Sequence, residues 1–215
     1  MRTFVKLTGL TDLDSVRLVP AGGAAGFLLG VPGAPRNLTP ERAATLVGAV
    51  PSEAEAWAVT RSPTPELVHQ LFDEVGVDRV QVYGELPAGL EYLEIHHLVP
   101  SLAIPRHGSP GPEPKVPPAE DYSRLHLDAD GDAVSDGSEH RPDWEMCARI
   151  VDAQPGRKLT LAGGITPENV ADALAAVRPW GVDLGRGLER EPGRLDAGKV
   201  AALVAAVERY ESAGG

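Results

Sequence analysis

Short β-branched or apolar runs recur along this chain, separated by helical patterns, and that alternation limits its folds more than any other feature. The runs are Thr3–Thr8, Ala24–Leu29, Glu55–Thr60, Arg79–Tyr83, Tyr92–Leu98, Arg124–Asp128, Leu159–Ala162 and Gly181–Leu184. Between most of them lie apolar stripes of helical period, such as Val170, Ala173, Leu174 and Val177. Near the C-terminus Val200, Leu203, Val204, Val207 and Tyr210 repeat the pattern. Strands that alternate with helices of this length predict parallel pairing through helical crossovers.

The tripeptide Thr-Pro-Glu sets the period. It occurs at Thr39-Pro40-Glu41, Thr64-Pro65-Glu66 and Thr166-Pro167-Glu168. Each reads as a helix start: Thr caps a free N–H, Pro takes the first turn where no N–H is needed, and Glu faces the positive end of the dipole. The intervals correspond to one and four units of about 25 residues, and eight such units fill 215 residues. The expectation is α/β, a single-domain (β/α)8 TIM barrel over residues 1–215, with a doubly wound sheet as the alternative. The stretch 103–119 holds six prolines and no apolar periodicity, so it reads as a long loop within that domain. The crossover after Gly84 also lacks a strong helical pattern.

Charge and cysteine narrow the function classes. Twenty basic against 31 acidic side chains give a net charge of −11, with no Lys/Arg run, which argues against nucleic-acid and anionic-membrane partners. The longest apolar runs are too short for a bilayer, and MRTFVKLTGL lacks the apolar core of a signal peptide, so a cytoplasmic protein is expected. One cysteine, Cys147, excludes an internal disulfide and a multi-cysteine zinc site. It falls in a helical stretch and reads as a small packed hydrophobe.

In a barrel, chemistry belongs to the loops at the C-terminal ends of the strands. Those ends carry Thr8, Tyr83, Asp128, Ala162-Gly163-Gly164 and Leu184-Gly185-Arg186-Gly187. The last two are glycine-rich and belong to adjacent units. Their N–H groups can close around an anion, a short helix after Gly185 would aim its positive end at it, and Arg186 adds donors. Gly163, Gly164, Gly185, Arg186 and Gly187 are therefore candidate phosphate-binding residues, although Gly-Gly also makes plain tight turns. Asp128 ends a strand where a carboxylate has no packing role; partly desolvated, it would suit a general acid, and a turn-opening surface Asp is the alternative. His126, two residues deeper by about 6.6 Å, reads as a buried core histidine with a partner. His96 and His97, taken as neighbours on a strand, face opposite sides and cannot chelate one metal. Neither a metal nor a cofactor is expected.

These residues resemble the phosphoribosylanthranilate isomerase family, a (β/α)8 enzyme of tryptophan biosynthesis, over essentially the whole chain. The resemblance rests on Val5-Lys6-Leu7-Thr8-Gly9-Leu10-Thr11, Gly26-Phe27-Leu28 with Pro35-Arg36, and Val80-Gln81-Val82-Tyr83-Gly84. It continues through Leu127-Asp128-Ala129, Asp143-Trp144, Leu161-Ala162-Gly163-Gly164 with Pro167-Glu168-Asn169-Val170, Gly181-Val182-Asp183 and Gly187-Leu188-Glu189. It implies an Amadori rearrangement: an Asp protonates the furanose oxygen, the ring opens to a Schiff base, and a base removes the C2 proton. Asp128 then resembles the acid, Arg36 the arginine beside the anthranilate moiety, where a planar cation suits a carboxylate or a ring face, and the two glycine loops the phosphate clamp. The implied partner is a small phosphorylated substrate, bound by a monomer or homodimer.

The base departs from the family pattern. Its Lys-Ile-Cys-Gly is here Lys6-Leu7-Thr8-Gly9, and an alcohol stays protonated where a thiol yields thiolate, so Thr8 needs strong activation. Tyr83 replaces the histidine after the fourth strand and is taken as substrate-binding. Asp136-Gly137-Ser138-Glu139-His140-Arg141 replaces the glycine-lysine loop, and Gly185-Arg186 replaces two serines. Glu85, Asp130, Asp132, Glu139 and His140 lie on loops from which a base could swing in. Two other functions stay open: a paralogue with a different reaction on a phosphorylated substrate in a specialised pathway, and a silent sugar-phosphate binder.

Overall fold

The computed structural model describes residues 2–90, 92–109, 111–129 and 140–214. Eight parallel strands close into a barrel: β1 (Phe4–Thr8), β2 (Ala24–Leu29), β3 (Glu55–Arg61), β4 (Arg79–Tyr83), β5 (Leu98–Ala103), β6 (Arg124–Asp128), β7 (Lys158–Leu161) and β8 (Gly181–Leu184). Closure comes from β1, which pairs with β2 through Lys6 opposite Ala24 and with β8 through Lys6 opposite Asp183. The (β/α)8 expectation holds, and the doubly wound alternative falls with that closure.

Strand alternation divides the molecule. Val5, Leu7, Phe27, Leu125, Leu127, Leu159, Leu161, Val182 and Leu184 point outward into one apolar core shared with the helices. The outer layer supplies Val170, Ala173, Leu174 and Val177 from α6 (Val170–Val177), all buried as the stripe requires. From α7 (Ala197–Ser212) come Val200, Leu203, Ala206 and Val207, with Val204 only half-buried. Cys147 lies in α5 (Trp144–Asp152), whose N-cap is Asp143, and packs fully buried in the same core.

The inward positions close the N-terminal end. Phe4 stacks on Trp180 at 4.2 Å, and the Arg124 guanidinium lies 4.9 Å over the same Trp180 ring. Arg124 also forks onto Glu55 at 2.7 and 2.8 Å. This plug leaves the open end where the strands finish.

Local chemistry sets two of the three Thr-Pro-Glu helices where expected. Thr39 caps α2 (Pro40–Val47) and Thr64 caps α3 (Pro65–Gln70), each accepting a backbone N–H at 3.3 Å. The third differs. Thr166-Pro167-Glu168 forms a turn, and α6 starts only at Val170, because the Asn169 side chain bonds back to the Thr166 N–H at 2.8 Å and the Gly164 carbonyl at 2.8 Å.

One strand assignment is corrected. Residues 92–97 are the helix α4 (Tyr92–His97), and the strand follows at Leu98–Ala103. Periodicity cannot separate helix from strand in so short an apolar run, and Pro100 masks the true strand by lacking an N–H for the ladder. His96 and His97 therefore lie in a helix; the His97 ring meets Phe72 edge-on at 6.1 Å. Among the described residues between Ile104 and β6 none is helical, and Arg106 forms a bridge with Pro142.

Candidate active site

Thr8, Tyr83 and Asp128 end β1, β4 and β6 and point inward at the open end of the barrel. The Tyr83 hydroxyl donates to Asp128 Oδ2 at 2.8 Å, and its ring meets His126 edge-on at 6.0 Å. Burial and the Asp128 charge raise the Tyr83 hydroxyl well above its ordinary range, so it stays a neutral donor at working pH. Its ring is buried at the mouth.

Thr8 stands over a charged pair that the sequence reading passed by. Lys6 Nζ and Asp183 Oδ2 form an ion pair at 2.7 Å, with the Lys6 side chain fully buried and that of Asp183 5% exposed. Thr8 Oγ1 accepts a hydrogen bond from Lys6 Nζ and donates one to Asp183 Oδ1 at 2.6 Å. Burial pulls the Lys6 amine below its ordinary range, against the opposing pull of Asp183. A signal was present: in Val5-Lys6-Leu7 and Val182-Asp183-Leu184 the apolar neighbours must point out, so each charge must point in and find a partner.

The close approach at Thr8 depends on Gly26, its register partner on β2. A Cβ at Gly26 would lie 2.5 Å from Thr8 Oγ1 and 3.1 Å from Thr8 Cα, so only glycine fits. Beneath this layer His126 Nδ1 meets Thr160 Oγ1 at 2.9 Å, and His126 Nε2 lies 3.7 Å from Asp183 Oδ2. His126 is thus the core histidine its depth predicts. Burial holds its dissociation down to about 4, although Asp183 opposes the fall.

The two glycine loops adjoin. Gly163 and Gly164 both adopt positive φ, +90° and +60°, which a side chain would strain. Gly185 opens a single 3-10 turn over Arg186–Leu188, shorter than the helix expected there. Gly187 backs onto the loop after β7, where a Cβ would lie 2.9 Å from the Ile165 carbonyl oxygen. His140 and Arg141 cover Gly163 and Gly164, while Asp130, Asp132, Asp136, Gly137, Ser138 and Glu139 lie outside the described residues. Glu85 is exposed.

Arg36 reaches the same end but is engaged. Its Nε bonds Glu189 Oε1 at 2.6 Å and its Nη2 bonds Glu189 Oε2, tying the loop after β2 to the loop after β8. The Nε–Nη2 edge is therefore held by Glu189, and the Arg36 side chain is 19% exposed. Among the described residues, no group of three or more His, Cys, Asp or Glu side chains could hold a metal, and no helix is long and apolar enough to cross a membrane.

The family model for N-(5'phosphoribosyl)anthranilate (PRA) isomerase matches residues 5–206. The chain belongs to this family. It is 36% identical to the N-(5'-phosphoribosyl)anthranilate isomerase of Bordetella pertussis over 98% of both chains. The enzyme of the same name from Natronomonas pharaonis is also 36% identical, over 94% of this chain and 96% of its own. Among solved structures, phosphoribosyl anthranilate isomerase from Thermus thermophilus superposes with a TM-score of 0.72 at 31% identity, covering 97% of this chain and 99% of that one.

Proposed function

We propose that this protein isomerises phosphoribosylanthranilate, or a closely similar aromatic aminosugar phosphate, from aldose to ketose, with Asp128 as general acid. The observation that carries this reading is the convergence of Asp128, Thr8 and the adjoining glycine loops at one open end of a family barrel. Tyr83 orients Asp128 through its hydroxyl, so the carboxyl can present a proton to a ring oxygen lying between it and Thr8. Gly163, Gly164, Gly185, Arg186 and Gly187 receive the phosphate through backbone N–H groups and one cation. The flat face of Arg36 packs against the aromatic ring.

The test is direct. Purified protein incubated with phosphoribosylanthranilate should abolish the fluorescence of the substrate, and Asp128→Asn should slow that loss by about 10²–10⁴-fold. No loss of fluorescence at high enzyme concentration would reject the reading. The Thr8 side chain supports one alternative, an altered native reaction on another phosphorylated substrate. Under that alternative Thr8→Cys acquires isomerase activity that the parent lacks.

A further inference from the structure

An alcohol at position 8 has to gain basicity from its surroundings, and the Thr8 hydroxyl is held in a way that can supply it. A hydroxyl has one proton and two lone pairs. The Thr8 proton is committed to Asp183 Oδ1 at 2.6 Å, and one lone pair is committed to Lys6 Nζ. The second lone pair is the remaining acceptor position. Burial falls along the trio: Lys6 is fully buried, Asp183 is 6% exposed, and Thr8 is the half-exposed member at the mouth. The Lys6–Asp183 pair is already in direct contact at 2.7 Å, so the hydroxyl that bonds both partners is not needed to close it.

We propose that Lys6, Thr8 and Asp183 form a proton relay that removes the C2 proton of the substrate in place of a thiolate. This rests on the isomerase reading above. In the step, the C2–H bond of the protonated Schiff base breaks and its electron pair becomes the C1–C2 double bond of the enol-amine, neutralising the iminium. The proton goes to the second lone pair of Thr8 Oγ1. In the same movement the original Thr8 proton passes to Asp183 Oδ1, so the carboxylate becomes a neutral acid. Lys6 stays an ammonium and stabilises the negative charge that builds on Thr8 oxygen during transfer. After product leaves, the proton returns through Thr8 to water. Only Thr8 touches substrate; Asp183 and Lys6 act through it.

Four substitutions and a labelled substrate test the relay. Thr8→Ser keeps the hydroxyl and should retain turnover within about tenfold, whereas the isosteric Thr8→Val should lower kcat by about 100-fold or more with KM within about threefold. With substrate deuterated at C2, the parent should show a primary isotope effect. Asp183→Asn should lose turnover to a similar extent and recover it when combined with Thr8→Cys, since a thiolate takes the proton unaided. The recovered double variant should gain an activity limb tracking thiol ionisation, a pH signature that repair of packing alone would not give. Turnover by Thr8→Val within about tenfold of the parent, with the isotope effect intact, would overturn the relay and leave the isomerase reading standing. A folded Asp183→Asn protein with undiminished kcat would also overturn the relay. Absence of turnover by the parent would overturn both.

Discussion

His126 gives the sharpest test of how the barrel interior is built. Its side chain is fully buried, with Thr160 at Nδ1 and Asp183 3.7 Å from Nε2. In the unfolded chain the imidazole titrates near 6.5, and in the fold burial lowers this to about 4. The sign follows from proton binding. Between these values the unfolded state binds the proton and the folded state does not, so stability is full above about pH 6.5 and falls as the pH drops towards 4. At 1.36 kcal/mol per pKa unit, the loss attributable to this one group is about 3 kcal/mol, most of it incurred by pH 4.5. Urea unfolding of the parent and of His126→Asn at several pH values between 7.5 and 4.5 isolates it, because carboxylate titrations cancel in the difference. The stability difference between the two proteins should shift by about 1.4 kcal/mol per pH unit in favour of the variant once the pH is below 6.5. A difference that stays constant across the range would refute a buried neutral imidazole.

Three further outcomes follow from particular contacts. Gly26→Ala should lose about 1–3 kcal/mol in denaturant unfolding and most of its turnover, since the added methyl occupies the space of Thr8 Oγ1. Glu189→Gln should raise KM more than it lowers kcat and cost about 1–2 kcal/mol, because the partly buried Arg36 fork loses its countercharge. Cys147, whose thiol burial pushes up to about 12, should react with a disulfide reagent about 100-fold more slowly in the native protein than in denaturant, read by absorbance.

Particular elements show what could be read in the chain before its fold was in view. The caps at Thr39 and Thr64 lie within one turn of the groups they bind, so local chemistry alone placed both helices. Asn169 interrupted the same rule at Thr166 with a competing side-chain bond, which the tripeptide does not reveal. The strand at Leu98–Ala103 was obscured because a short apolar run next to Pro100 has no decisive period.

At the mouth, Thr8, Asp128 and the glycine loops were legible as strand-end residues, and the family resemblance suggested a role for each. Their working arrangement was not. Lys6 and Asp183 are 177 positions apart, and each alone is a polar residue flanked by apolar ones. Alternation turns both inward, but it says nothing of which strand will lie alongside. Closure of β1 onto β8 sets Lys6 against Asp183 in register and lets Thr8 bond both. Local residue chemistry carried the period, two of the three expected helix caps, the inward faces and the family. That the Thr8 hydroxyl meets a carboxylate and an ammonium was settled by the tertiary fold, because only barrel closure brings the first strand beside the last.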